Sequence, residues 1–321
     1  MDASDEGASR VREGNYAVRL IPPYRGNDLD KRLGEFTLNR LTRSLSEWQA
    51  IFRAPRDSSE LLLSQYFEEY VEHGKPGIPH ILRRPRKSVA ALIALYRQPQ
   101  LNAVLSQTVE GSAIYRNLDR RSIVGRTAVH SATSVLVLPD RPGEYDQGAA
   151  KQTLRRKARK AKAQGVHWMQ IDDPQQRQDL LDLAHESERN HPLADYRESN
   201  PDNTDLLDYK LWLVAYSADD RPLLLSVTPI DGEWALLRYF RTLGGGEDYS
   251  NSRYLMTHVL VEHLVGAGVR YLADVSSPVG LPNGLRHFQR MLGFRVCRIR
   301  VKQDGPAPVT EAPQHVAEPR P

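Results

Sequence analysis

The chain has 321 residues, with 44 Lys and Arg against 40 Asp and Glu, and its net charge of +4 and pI of about 9.1 are mildly basic without demanding a nucleic-acid partner. The single cysteine, Cys297, lies in the strand-like run FRVCRIRV and excludes a disulfide framework. No apolar run reaches the roughly 20 residues that span a bilayer, and the polar start MDASDEGASR lacks a signal peptide's apolar segment, so a soluble, cytoplasmic protein with no membrane partner is expected.

Residues 1–15 and the tail 304–321 are rich in Pro, Ala and charge without apolar periodicity and read as disordered. Residues 16–130 read as a mainly helical N-terminal region. Leu38, Leu41, Leu45, Trp48, Ile51 and Phe52 recur at helical spacing, as do Leu62, Tyr66, Glu69 and Tyr70. Three prolines in GKPGIPHILRRPRKS, residues 74–88, make a solvated loop with a basic cluster at Arg83, Arg84, Arg86 and Lys87.

Residues 131–303 read as a second domain. SVLVLP (134–139) is a strand, and KQTLRRKARKAKAQG is a charged helix stopped at Gly165. VHWMQI (166–171) is a strand, and a helix runs from Pro174 to Asn190 with Pro in its first turn. LWLVAYS (211–217), LLLSVTPI (223–230) and EWALLRYFRTL (233–243) form an antiparallel meander joined by hairpins. After Gly244, Gly245 and Gly246 a helix spans about Ser250 to Val265, with Leu255, Val259, Leu260 and Leu264 at helical spacing. VRYLADV, a short helix in LPNGLRHFQRML, and GFRVCRIRV end the domain as strand, helix, strand.

Two stretches carry candidate chemistry. In RYFRTLGGGEDYSNSRYLM, residues 238–256, glycines leave backbone N–H groups bare beside a helix N-terminus, which suits a polar or anionic ligand. In the charged helix, Lys151, Arg155, Arg156, Lys157, Arg159, Lys160 and Lys162 crowd together with no acidic residue among them. Arg155, Arg159 and Lys162 form one row and Arg156 and Lys160 a second, beside an apolar seam of Leu154, Ala158 and Ala161. Like charges this close cost about a few tenths of a kcal/mol per pair, which a phosphate-bearing partner would relieve; the alternative is a solvated face. His258 and His263 are five apart and do not share a helical face as a metal pair must. With no Cys-x-x-Cys, Walker loop or Gly-x-Ser-x-Gly elbow, metal, nucleotide-hydrolysis and serine-hydrolase chemistry are excluded.

The order strand, helix, strand, helix, three-stranded meander, helix, strand, helix, strand is similar to that of the GNAT acyltransferase fold over residues 134–302. The resemblance implies an α/β (α+β) architecture, a mixed, largely antiparallel sheet flanked by helices and preceded here by the helical region. More narrowly, LRRKARKAKAQGV (154–166), EDYSNSRYLM (247–256) and GLRHFQRMLGF (284–294) resemble the Fem-like aminoacyl-tRNA-dependent transferases. Proteins of this fold move an acyl group from a thioester or ester to an amine. In members using acetyl-CoA the pyrophosphate rests on an Arg or Gln, x, x, Gly, x, Gly or Ala loop, and Arg241, Gly244 and Gly246 match that spacing. Glu247 and Asp248 follow, and carboxylates that repel a pyrophosphate suit the cationic amino group of an aminoacyl donor. The expected function is therefore transfer from aminoacyl-tRNA, as co-substrate with no bound cofactor, to the amine of a small molecule or peptide. An acyl-CoA-dependent N-acyltransferase is the alternative, and an inactive RNA-binding module the second.

The resemblance puts the donor carbonyl where the fourth and fifth strands splay, with Arg238 to Leu243 facing Leu272 to Ser276. Donor or substrate contacts then fall to Arg238, Arg241, Gly244, Gly245, Gly246, Ser250, Asn251, Ser252 and Ser276, and catalytic roles to Asp274, Glu247, Asp248 and Tyr249. Asp274 can accept the amine's proton or hold an ammonium group, or else cap the next turn through Ser276 or Ser277. Ser250 or Asn251 serves most simply as the helix N-cap. RNA contact falls to Arg155, Arg156, Lys157, Arg159, Lys160 and Lys162.

Overall fold

A computed structural model describes residues 56–72, 85–119, 132–191, 194, 197–278 and 281–304. The ends expected to be disordered (apart from Asp304), the helical spacing from Leu38 to Phe52 and the loop at 74–84 lie outside them. The chain divides into two units, Met1–Ala50 and Ile51–Pro321, and every described residue belongs to the second.

Helices α1 (Arg56–Glu72) and α2 (Pro85–Tyr96) pack together through Leu63, Tyr66 and Phe67 against Ala91, Ala94 and Leu95. Pro85 opens α2, where its missing N–H removes nothing from the helix, so Arg86 and Lys87 are helical and not part of a loop. Lys87 meets Glu69 across the pair at 2.6 Å. Strand β1 (Gln100–Leu105) and helix α3 (Val109–Leu118) follow, the helix capped by the Thr108 hydroxyl. Strand β1 pairs in parallel with β10 (Arg295–Gln303) from Gln100↔Arg298 to Leu105↔Gln303. The sheet thus extends into the stretch read as mainly helical. Six residues in which only Ala103 and Leu105 are buried leave too short an alternation to recognise in the sequence.

Then come β2 (Ala132–Val137), the basic helix α4 (Gln152–Ala163), β3 (His167–Gln170) and α5 (Pro174–Arg189), with Pro at its start and Asp173 as N-cap. A 3-10 turn, Thr204–Asp208, leads to β4 (Trp212–Tyr216) and β5 (Pro222–Val227). The chain continues as β6 (Ile230–Asp231), β7 (Trp234–Leu237), β8 (Tyr239–Thr242), α6 (Glu247–Gly266), β9 (Tyr271–Asp274), α7 (Asn283–Leu292) and β10.

The strands form two sheets, β1-β10-β2-β9-β7-β6 and β3-β4-β5-β8. The architecture is mixed α/β with sheets flanked by helices, and its element order from β2 onward follows the expected one. Strands β4 and β5 are covered on both faces, which explains their continuous apolar runs. Leu213, Ala215 and Leu224 face α4 and α6, while Trp212, Val214 and Leu225 face α5 and the 3-10 turn. The seam Leu154, Ala158 and Ala161 is the buried face of α4, as its spacing requires.

The third strand of the expected meander is divided. Strand β7 runs parallel to β9, from Trp234↔Tyr271 to Leu237↔Asp274, whereas β8 runs antiparallel to β5, from Val227↔Tyr239 to Leu224↔Thr242. Between them the Arg238 N–H donates to the Leu236 carbonyl at 2.7 Å, a three-residue turn that transfers the chain from one sheet to the other. Helix α6 begins at Glu247, earlier than Ser250. Gly246 caps it at φ 117°, a conformation open to glycine, and the Glu247 and Asp248 carboxylates in the first turn favour the positive end of the helix dipole. None of the described helices is long and apolar enough to cross a membrane.

Candidate active site

Where β7 and β8 part, a cavity of about 250 Å³ opens between β8, β9, α5, α6 and α7. Its apolar wall includes Leu260, Leu285, Phe288 and Leu292, and its polar groups include Glu188, Asn203, Tyr239, Arg241, Asp274 and Ser276. Strand β8 is an edge of its sheet. The Leu243 N–H donates to the Leu223 carbonyl at 2.9 Å on the β5 side. Antiparallel alternation then turns the Phe240 and Thr242 N–H groups toward the open edge, on the cavity side.

Glu188 is the functional candidate that sequence reasoning missed. It extends the buried face Leu180, Leu181 and Ala184 of α5 by one turn, and a carboxylate at the i+4 continuation of an apolar stripe was the available signal. Its carboxylate is only 8% exposed, lies 3.2 Å from Arg241 and accepts from the Asn203 amide at 3.3 Å. The Tyr239 hydroxyl lies buried beside it without reaching hydrogen-bond geometry, and burial first, then the Glu188 charge, push that phenol's pKa up.

Asp274 ends β9 at the cavity. One carboxylate oxygen accepts the Ser276 N–H at 2.6 Å and the other the Gln289 amide at 2.7 Å. The turn-capping alternative is thus realised together with the cavity position, and the two bonds fix the carboxylate's orientation. Arg238 is held bidentate by Asp205 at 2.7 and 2.9 Å, and Asp205 also accepts the Tyr209 hydroxyl at 2.8 Å. Arg238 lines the cavity on one side and, on the other, a hollow of about 430 Å³ that includes Arg116, Asp205 and Tyr209. Arg253, also missed, lines the cavity and donates to the Thr242 hydroxyl at 3.3 Å.

Of the residues nominated from the sequence, Arg238, Arg241, Asp274 and Ser276 therefore share one cavity. The glycine turn and helix entrance do not line it. A Cβ on Gly244 would fall 2.5 Å from the Tyr249 ring, which also carries the Arg221 guanidinium over its face. The turn is bare because an aromatic ring packs on it. Glu247 is exposed and paired with Lys160 of the basic helix, which lowers its pKa. Ser250 donates its N–H to the Gly246 carbonyl, so it is inside the helix and does not cap it. Asn251 is buried and donates to the Gln164 side chain at 3.0 Å, and Ser252 donates to the Tyr249 carbonyl at 2.8 Å.

In α4 the cations divide by neighbour. Arg155 donates to the carbonyls of Asp146 and Gly148. Lys160 is taken by Glu247, whose charge Lys157 also feels, while no ion pair is made by Arg156, Arg159 or Lys162 among the described residues. Lys151, just before the helix, donates to the Leu292 carbonyl at the end of α7 beneath the Tyr145 ring. Cys297 is buried with its thiol pKa pushed up to about 11, so it is no nucleophile. Among the described residues no three His, Cys, Asp or Glu side chains are grouped to hold a metal ion.

No protein-family profile and no curated protein sequence matches the chain. Similar solved structures include the C-terminal domain of a protein from Agrobacterium fabrum described as a lysylphosphatidylglycerol synthetase, with 14% identity and a TM-score of 0.38 over 51% of this chain and 57% of that one. L-PGS from Bacillus licheniformis has 12% identity and a TM-score of 0.39 over 51% and 57%. A conserved protein of unknown function from Bacteroides thetaiotaomicron has 14% identity and a TM-score of 0.41 over 52% and 56%. The chain spans little more than half the length of these structures.

Proposed function

We propose that the cavity at the parting of β7 and β8 is the site of an acyltransferase that takes an aminoacyl group from aminoacyl-tRNA and passes it to an amine, forming an amide. The observation that carries this reading is that Asp274 and Glu188 bring two carboxylates to one largely apolar cavity whose β8 edge offers the Phe240 and Thr242 N–H groups. Those donors suit an ester carbonyl oxygen and stabilise the charge that grows on it during attack. The donor's ammonium takes the Glu188 end, displacing the exposed Arg241 guanidinium. The acceptor amine attacks the carbonyl carbon, the new C–N bond replaces the ester C–O bond, and Asp274 carries the proton from the amine to the departing ribose oxygen. Glu247 and Asp248 are left to the helix end and the basic helix.

The test is incubation of the purified chain with charged tRNA and a panel of amines. Release of uncharged tRNA that depends on the amine, with product lost after RNase, is expected. Thiol release from an acyl-CoA, indifferent to RNase, would replace this reading with the acyl-CoA one. A separate arm replaces the amines with phosphatidylglycerol vesicles, so that transfer to a lipid hydroxyl is read on its own.

A further inference from the structure

The cavity at the parting of β7 and β8 has two unlike ends. At one stands Glu188 of α5 beside the buried Tyr239, which belongs to the apolar cluster of Leu180, Leu181 and Ala184 beneath that helix. At the other, Leu285, Phe288 and Leu292 come from one face of α7 at i, i+3 and i+7, and Leu260 of α6 joins them. Phe288, Leu292 and Leu260 pack in a different cluster from Tyr239, so the two ends are backed by different parts of the core. Leu260 and Leu292 are buried, whereas Leu285 and Phe288 are only half-buried, and Leu285 joins no packed apolar cluster of the described residues. Apolar surface is therefore left uncovered at the cavity. The Phe288 ring is held edge-on to Tyr254 with centroids 5.3 Å apart, which fixes that wall.

Charge narrows what the apolar end can take. Among the described residues that line the cavity the carboxylates are Glu188 and Asp274, against the guanidiniums of Arg238, Arg241 and Arg253. Glu188 is assigned to the donor's α-ammonium, and Asp274, held by the Ser276 N–H and the Gln289 amide, to the acceptor's proton. A cationic side chain would find no third carboxylate, and an unpaired buried charge is costly. An anionic one would find no hydrogen-bond donor on Leu260, Leu285 or Phe288. The cavity's volume of about 250 Å³ is about eight water volumes, room for an aminoacyl group of about eight heavy atoms.

We infer that the aminoacyl group seated here carries a large apolar side chain, of the size of leucine or methionine, laid on Leu260, Leu285 and Phe288, and that α7 sets the donor's specificity. The inference rests on the aminoacyl-donor reading above and names the side-chain class that the reading leaves open. A single methylene in an apolar pocket discriminates by about 10–200-fold, so this wall can sort donors without a polar contact.

The experiment is isothermal titration of the full chain with amide-linked, non-hydrolysable analogues of aminoacyl-adenosine bearing leucine, alanine or lysine. An isohexanoyl counterpart, the leucyl group without its amine, completes the set. The leucyl analogue is expected to bind at least about tenfold more tightly than the alanyl or the lysyl one. Leu285→Glu sets a carboxylate at the apolar end from a position outside the packed clusters, and is expected to weaken the leucyl analogue about tenfold and to favour the lysyl one, reversing their order. Circular dichroism confirms that the variant folds, and the ranking on the wild-type chain needs no variant. An alanyl or lysyl analogue bound as tightly as the leucyl one, an unchanged order in Leu285→Glu, or no binding by any analogue would each overturn the inference. Binding that requires the amine but ignores the side chain would sink the apolar seat and leave the aminoacyl-donor reading standing. An isohexanoyl analogue bound as tightly as the leucyl one, with both well above the alanyl one, would keep the apolar seat and remove the aminoacyl donor.

Discussion

The Glu188 carboxylate, 8% exposed, is met at 3.2 Å by the guanidinium of Arg241, which is itself 54% exposed. The charge that must stay is buried and the one that can leave is at the surface. Arg241→Ala should therefore destabilise the fold by about 1–3 kcal/mol, because it strands a carboxylate with only the Asn203 amide for company. Glu188→Gln in the same background should recover part of that loss in urea unfolding. A double variant no more stable than Arg241→Ala alone would mean that the pair is not energetically coupled.

Asp274→Asn should reduce turnover by about 10²–10⁴-fold if the carboxylate carries the acceptor's proton. The amide keeps an acceptor for the Ser276 N–H but sets a second NH₂ against the Gln289 amide, which must flip. Gln289→Leu serves as the control. It removes the bond to Asp274 without removing the carboxylate, and its effect should appear in the pH profile of kcat rather than as loss of activity.

The glycine turn gives a contrast between neighbouring positions. A Cβ on Gly244 falls 2.5 Å from the Tyr249 ring, while one on Gly245 meets nothing within 4 Å. Gly244→Ala should cost about 1–3 kcal/mol through overpacking, and Gly245→Ala should be neutral or stabilise by about 0.4–1 kcal/mol through the unfolded chain. Thermal melts of the two variants decide it. A turn selected to cradle a ligand would show the opposite pattern, with stability intact at both positions and donor binding lost at both.

Lys151 is half-buried under Tyr145 against the Leu292 carbonyl, and desolvation lowers its pKa from 10.5 to about 8. Between those two values the unfolded chain binds more protons at this site than the folded one, so stability from this group rises as pH rises through the window. The penalty of burying the ammonium is fully present below about pH 8. The Tm of the wild type relative to Lys151→Met should accordingly climb as pH is raised through the window. A constant difference would show that the ammonium is solvated in the folded state.

Much of the architecture was legible because α4, α5 and α6 announce themselves by period and β4 and β5 by short continuous apolar runs between turn residues. What was not legible has physical causes. EWALLRYFRTL reads as one strand because no Gly, Pro or other turn residue interrupts it, and only the tight turn at Arg238 divides it between two sheets. Strand β1 is short and half exposed. At the site, Asp274 was visible from its place near the end of VRYLADV and Arg241 from its spacing to Gly244 and Gly246, but the three glycines drew attention to a turn that accommodates Tyr249. Glu188 was overlooked because the i+4 pattern that marks it as buried does not say that α5 sets that turn against Arg241 of β8.

The last prediction concerns Arg238, which stands at that turn with the cavity on one side and the hollow beside Tyr209 on the other. Its two bonds to Asp205, at 2.7 and 2.9 Å, tie β8 to the 3-10 turn at Thr204–Asp208, and the Tyr209 hydroxyl braces the same carboxylate at 2.8 Å. A lysine can supply the charge but not the planar fork. Arg238→Lys and Asp205→Asn should each lower stability by about 1–2 kcal/mol, discounted for partial exposure, and the double variant should lose little more than either, since both break one bidentate unit. If Arg238 served only as a free substrate contact, Asp205→Asn would instead tighten donor binding by releasing the guanidinium. Urea unfolding with donor titration on the same variants separates the two outcomes. The structural account requires that stability fall and donor affinity not rise, because the turn that parts β7 from β8, and so shapes the cavity, is held by this pair.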